Sequence, residues 1–258
     1  MGVRMGNGLM KSAAYTAHPI RRLLLIGLLV ALPVAVGGAK EVSTTIESAA
    51  TEYPGHEHRV TVNRAVEVAT AGKEDLAWQM LEPVLAYCDG LKATGSATLV
   101  SVSNTAEEAT YIASSDTTLP VRFVDMACPM AYKTAGFLAV GARDADAAFE
   151  YLDMAQQLAP YWAEPMAERA YFVGHLGDRQ ASLELYRSAL ELAEKYPGSA
   201  HVKPLVLRGI GYALIELGDL DAAQRSYEES LELDPSSDVA GNELKYIRQK
   251  RARQATPD

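Results

Sequence analysis

Few residues in this chain could do chemistry. Cys88 and Cys128 are the only two cysteines in 258 residues. Cys128 stands before Pro129 in "DMACPMAYK", and a thiol at a helix start has its pKa lowered by the helix dipole, which would give a reactive or redox-active group. The same pair could instead bridge. A bond would close a 40-residue segment (128 − 88), worth up to about 4 kcal/mol in the chain-entropy model. The third reading is two buried thiols packed as small hydrophobes. His56 and His58 flank Glu57, a spacing that can hold a metal on an extended chain, but no third ligand lies near and a surface loop is the simpler reading. His175 and His201 stand alone. There is no Ser-x-x-Lys, Gly-x-Ser-x-Gly, phosphate-cradling Gly-rich loop or His-Glu-x-x-His. These residues point away from an enzyme and call for no cofactor or metal.

What positions the remaining side chains is a repeat. Pro129, Pro160 and Pro235, with Gly177 and Gly218, punctuate the C-terminal half into helical hairpins. Taking Pro235 as a closing proline, units begin at Pro129, Ala163 and Pro204, 34 and then 41 residues apart (163 − 129, 204 − 163). Small residues recur where two antiparallel helices would cross: Gly136 with Ala148, Ala170 with Ser182, Gly211 with Ala223. Small side chains let helix axes approach to roughly 8–10 Å while bulky neighbours fill the grooves. Glycine just past a helix ends it in the left-handed conformation. The departures are Arg143 at the first turn, with Gly141 two residues early, Ser230 for an alanine, and seven extra residues in "LAEKYPGSAHVKP". The pair "GIG" at 209–211 falls inside a helix and belongs to packing.

This pattern, clearest in "GIGYALIELGDLDAAQRSYEESLELDP", resembles the tetratricopeptide repeat (TPR) family over about three repeats, residues 129–237. The resemblance implies a mainly α fold, an α-solenoid of antiparallel helix hairpins that works by binding other proteins. In that family the first helices line a concave groove. Carried onto this chain, the ninth positions are Phe137, Tyr171 and Tyr212, and the fifth positions are Lys133, Ala167 and Arg208, with His175 and Glu216 further along. The ninth-position asparagine with which some members grip a C-terminal carboxylate is absent. An aromatic ladder with the cations Lys133 and Arg208 suits an extended peptide or an amphipathic helix. The opposing reading is that the chain's own N-terminal hairpin, insert or last helix covers these rings.

After Pro235, residues 238–258 read as one more amphipathic helix covering the open face of the last repeat, with Val239, Leu244 and Ile247 on its apolar side. Its cations Lys245, Arg248, Lys250, Arg251 and Arg253 crowd the C-terminal end, where they suit the helix dipole of a solvated capping helix; a basic binding patch is the sharper alternative.

Ahead of the repeats, Val60 to Ala71 and Asp75 to Tyr87 read as a helical hairpin turning at Gly72. "ATLVSVS" (97–103) alternates as a strand, 105–115 reads as a short helix capped by its threonine, and "VRFVD" (121–125) is strand-like. Residues 59–128 therefore hold a hairpin and a small α/β insert near 97–125 that must lean on the helices.

At the front, "RRLLLIGLLVALPVAVGGA" (21–39) places two arginines before an apolar run and small residues, the form of a secretory signal cleaved near Gly37 to Ala39. The expected organisation is a signal over 1–38, a mobile polar leader over 39–58, and export to a bacterial periplasm. The alternative is an uncleaved anchor in the inner membrane. Loss of 1–38 removes Arg4, Lys11, Arg21 and Arg22, moving the charge from −9 to −13 (−9 − 4). So acidic a chain repels phosphates, and nucleic acid is not an expected partner. The expected role is an exported adaptor or envelope assembly factor binding a protein or peptide; an enzyme or thiol-redox protein using Cys128 is the second reading.

Overall fold

The computed structural model describes residues 53–255; the signal segment and most of the leader lie outside them. The described residues begin with a short turn of 3-10 helix and the hairpin α1 (Arg59–Thr70) and α2 (Glu74–Ala93). Gly72 makes the turn with φ 72°. α2 outruns the expected end at Tyr87 because apolar residues beyond it pack on the core, Cys88 buried and Leu91 partly buried. The leader also ends earlier than expected. From Tyr53 onward the chain is packed: the Tyr53 hydroxyl donates to Glu108 (2.6 Å), and the Asp125 amide donates to the Pro54 carbonyl (3.0 Å).

The insert follows as β1 (Thr98–Val100), α3 (Thr105–Ser114) and β2 (Val121–Phe123). The strands pair in parallel, Thr98 opposite Val121 and Val100 opposite Phe123. Asn104 rather than Thr105 caps α3, its side chain accepting from the Glu107 amide while the Glu107 carboxylate returns to the Ser103 amide. That is a reciprocal cap, with the buried glutamate satisfied. The insert leans on the loops between later hairpins: the Ser101 amide donates to the Leu158 carbonyl (2.6 Å), and rings run from Tyr53 through Phe123, Tyr111 and Tyr161 to Tyr196.

Asp125 joins the insert to the helices. It is 1% exposed, accepts from the Ala127 amide at the first turn of the next helix, and forms an ion pair with Arg59. One turn on, Cys128 is bonded to Cys88, with Cα atoms 5.7 Å apart. Both cysteines are buried, so α2 is joined covalently to the start of the repeats.

Three hairpins follow: α4 (Ala127–Gly141) with α5 (Ala145–Leu158), α6 (Glu164–His175) with α7 (Arg179–Lys195), and α8 (Lys203–Leu217) with α9 (Leu220–Leu233). The left-handed turn residues are Arg143, Gly177 and Gly218, spaced by 34 and 41 (177 − 143, 218 − 177). Arg143 thus takes φ 60° where the other two turns have glycine. In each unit the next residue caps the second helix: Asp144, Asp178 and Asp219 accept from the amides of Ala147, Ala181 and Ala222. The longer middle unit has α7 at 17 residues against 14 for α5 and α9, followed by a 3-10 segment Pro197–Val202.

The crossings are as tight as the small residues require. A Cβ on Gly136 would lie 2.9 Å from Leu152, and one on Gly211 would lie 2.6 Å from the Tyr227 ring. Gly209 faces the Tyr186 ring in the same way, so α8 receives one tyrosine from α7 and one from α9. Ser182 and Ser230 add a hydrogen bond at their crossings, to the carbonyls of Ala170 (2.7 Å) and Pro204 (2.9 Å). Serine in place of alanine at 230 therefore ties α9 to the start of α8.

α10 (Asp238–Ala255) closes the array against α9 through Ala240, Ile247 and the partly buried Leu244. Val239, expected on the apolar side, is exposed, and Ala240 takes its place. Two cores result: one under α1, α2 and α4, and one under α6 to α10. Ala139, Ala148 and Phe172 pack together between them.

Candidate partner-binding groove

Successive first helices touch one another, α4 with α6 and α6 with α8, while each second helix packs on its own partner and on the first helix that follows. First helices therefore lie on the inner side of the curve. A groove residue must sit on that side and keep part of its surface outside the core.

Tyr171 on α6 and Tyr212 on α8 meet both requirements, being 49% and 42% exposed. No described element covers them. The His175 ring lies 4.0 Å from that of Tyr171, and its Nδ1 is 2.9 Å from the Tyr171 carbonyl. Arg179, at the start of α7, lies 5.8 Å over the Tyr212 ring. It pairs with Glu216 at 3.4 Å and donates to the Gly174 carbonyl. The groove wall is thus two half-exposed tyrosines, each beside a basic side chain.

Beneath them lie Tyr186 and Tyr227, buried against the α8 glycines. Burial pushes both hydroxyls well above the usual tyrosine range, and the nearby Glu168 adds to the shift of Tyr186. Glu243 and Tyr212 add to that of Tyr227. Tyr171 is raised too, first by burial and then by Glu168 and Tyr212. All three hydroxyls are neutral at physiological pH, and that of half-exposed Tyr171 can donate to a partner without adding charge.

The other sequence-predicted residues are arranged differently. Phe137 packs partly into the N-terminal core. Lys133 is held by partners within the chain. Its ammonium is 3.0 Å from Glu164, with side chains only 14% and 12% exposed, and lies 6.0 Å over the Trp162 ring. His201 meets the other oxygen of Glu164 at 2.8 Å. Arg208 is likewise turned inward, bonded to Asp234 (3.2 Å) and Ser230 (3.4 Å) at the end of its own hairpin. Both cations have a carboxylate within reach of the helix pairing, and a half-buried charge takes a partner where one is offered.

Cys128, the nucleophile of the enzymatic reading, is bonded to Cys88 and buried, so no thiolate stands at the α4 start in this state. The His58 ring lies tilted against that of Tyr87 at 4.5 Å, and His56 reaches the Tyr53 carbonyl. Among the described residues no group of three or more His, Cys, Asp or Glu could hold a metal ion, and no helix is long and apolar enough to cross a membrane.

One further tyrosine stands at the repeat spacing beyond the three repeats. Tyr246 on α10 stands 34 residues after Tyr212 (246 − 212), as Tyr171 stands 34 after Phe137 (171 − 137), and it is 44% exposed. The repeat spacing carried one unit past Pro235 finds it.

Residues 163–236 match the tetratricopeptide repeat family model. No curated protein matches the chain. Similar solved structures include the first TPR domain of human RPAP3, 24% identical over 49% of this chain and 94% of that one, with a TM-score of 0.43. MamA of AMB-1 is 16% identical over 76% of this chain and 84% of its own, with a TM-score of 0.43. A thermophilic TPR protein of Thermus thermophilus, TTC0263, is 17% identical over 74% of this chain and 99% of its own, with a TM-score of 0.38.

Proposed function

We propose that this chain, a tetratricopeptide-repeat protein over residues 163–236, is an exported adaptor or assembly factor that binds a peptide or helix of another protein along its first helices. The observation that carries the reading is the pair Tyr171 and Tyr212, half-exposed on adjacent first helices. Large rings held by a rigid scaffold provide contact area at small entropic cost. Export is supported by two features: the arginine-led apolar run at 21–39, and the Cys88–Cys128 bridge, which an oxidising compartment such as the periplasm maintains.

The test is cross-linking of the mature protein in an envelope extract, comparing wild type with Tyr171→Ala/Tyr212→Ala. Both rings are half outside the core, so the variant retains its helical spectrum and the bridge. Loss of a cross-linked partner supports the groove; an unchanged set of partners in a folded variant refutes it. The mass of the exported protein checks cleavage near Gly37 to Ala39.

A further inference from the structure

Glu168 and the Arg179–Glu216 pair flank the middle of the groove, and its far end has a different charge. α10 carries five cations (Lys245, Arg248, Lys250, Arg251, Arg253) and two acids (Asp238, Glu243) in a chain of net charge −9. They are not spread evenly around the helix. At about 100° per residue, Ala240, Leu244, Ile247 and Arg251 share the side turned to α9, and Arg251 is bound there to Asp221 and Gln224. Lys245 and Arg248 lie on one flank, away from Tyr246 and Lys250. Tyr246, Gln249, Lys250, Arg253 and Gln254 form a third stripe and line one recess. The Lys250 ammonium lies 5.7 Å over the Tyr246 ring.

By the repeat spacing this stripe stands one unit beyond the groove positions of α8. Glu243, on the edge between the stripe and the α9-facing side, acts electrostatically on Tyr227, and Tyr227 interacts with Tyr212. Tyr246, Gln249 and Lys250 occupy in α10 the positions that Tyr212, Ile215 and Glu216 hold in α8 (each 34 residues on). The glutamate of the last repeat is thus replaced by a lysine.

We propose that the α10 stripe of Tyr246, Lys250 and Arg253 is the distal end of the groove and receives the acidic end of a partner polypeptide, whose apolar side chains lie on Tyr171 and Tyr212. The proposal rests on the groove reading above and adds the partner's polarity. Carboxylates are attracted to Lys250 and Arg253, whereas in the middle of the groove Glu168 is acidic and Glu216 is already paired with Arg179, so the partner has one orientation along the ladder. A protein segment suits this site better than an anionic membrane. The rings line an inner face that a flat surface does not reach, and Lys245 and Arg248 point away from the stripe.

The experiment is selection of a displayed dodecapeptide library on the full chain with its disulfide intact. Affinities are then measured on wild type, Lys250→Glu, Arg248→Glu and Tyr171→Ala/Tyr212→Ala. The two glutamate variants make the same charge change on different sides of α10. The expected peptides carry aspartate or glutamate at one end beside aromatic or aliphatic residues. They lose roughly tenfold affinity on Lys250→Glu, as loss of a charge-assisted contact implies, keep it on Arg248→Glu, and lose it with the tyrosine pair. Selected peptides without carboxylates, or equal losses for Lys250→Glu and Arg248→Glu, overturn the α10 assignment and leave the groove standing. No enrichment, or binding indifferent to the tyrosine pair, refutes the groove reading itself. Flotation with phosphatidylglycerol vesicles that falls equally in both glutamate variants, without peptide enrichment, makes α10 a membrane-binding helix and also overturns the proposal.

Discussion

Gly211→Ala tests the packing that sets the groove. Gly211 lies inside α8, where alanine is the better helix former by about 0.5–1 kcal/mol, so a helix free of its neighbours would gain stability. The structure predicts the opposite. The new Cβ would stand 2.6, 2.8 and 2.9 Å from three carbons of the Tyr227 ring. To reach the near edge of ordinary contact, 3.4 Å, the ring must retreat by 0.8 Å (3.4 − 2.6). Tyr227 is 2% exposed, so the retreat displaces packed neighbours. Overpacking of this kind costs about 1–3 kcal/mol, which leaves a net loss of about 1 kcal/mol after the helix gain. For a body of this size the melting temperature falls by about 2–4 °C. Gly241→Ala is the internal control, because a Cβ there meets nothing within 4 Å, and a rise of about 1–4 °C is expected. Thermal melts followed by circular dichroism decide. A Gly211→Ala protein as stable as Gly241→Ala would refute the crossing. In a Tyr227→Leu background the penalty at 211 shrinks, and the double-mutant cycle measures the coupling.

Ala223→Leu, at a fully buried position of α9, costs roughly 1–3 kcal/mol by overpacking, and an unchanged melt would place Ala223 outside the crossing. Arg143→Gly relieves a left-handed conformation that costs an ordinary residue about 1–2 kcal/mol; after glycine's greater freedom when unfolded, urea titration should show a gain of about 0.5–1 kcal/mol. Cys88→Ser with Cys128→Ser lowers stability by about 2–4 kcal/mol, and thiol counting on denatured, unreduced wild type finds no free thiol. Glu243, whose carboxyl desolvation pushes above the usual range, binds its proton more tightly folded than unfolded. Its contribution to stability is therefore full below the unfolded carboxylate pKa and is lost as pH rises through the folded one. Glu243→Gln should stabilise at pH 7 and confer no advantage below about pH 4, and a pH series of melts reads this directly.

The helical array was legible because its constraints are local. Gly177 and Gly218 end helices wherever they occur, and Gly136, Ala170 and Gly211 mark close crossings by their size alone. Arg143 was legible only as a departure, since the spacing demanded a left-handed residue without saying that arginine would supply it. The ion pairs were not legible. Lys133 and Arg208 sit at groove-facing positions by count, yet their partners Glu164 and Asp234 are 31 and 26 residues away, and only the folded chain brings them together. Tyr246 was hidden for another reason: α10 has Lys245 where a repeat has a small residue, so the helix read as a cap and its ladder position went unseen. The spacing of Cys88 and Cys128 left bridge and thiols open, because only the fold sets the distance between their backbones.

The covalent link between α2 and α4 has a mechanical consequence. Everything from Asp89 to Ala127, the two strands and α3 included, forms a closed ring of chain. A pull on the two ends of the protein passes through the bridge and bypasses that ring. The helices beyond it would unravel to full extension, while about 140 Å of chain stays out of the stretched length, 40 residues at about 3.5 Å each. A protease cut within the ring would likewise leave the two pieces joined, separable only after reduction.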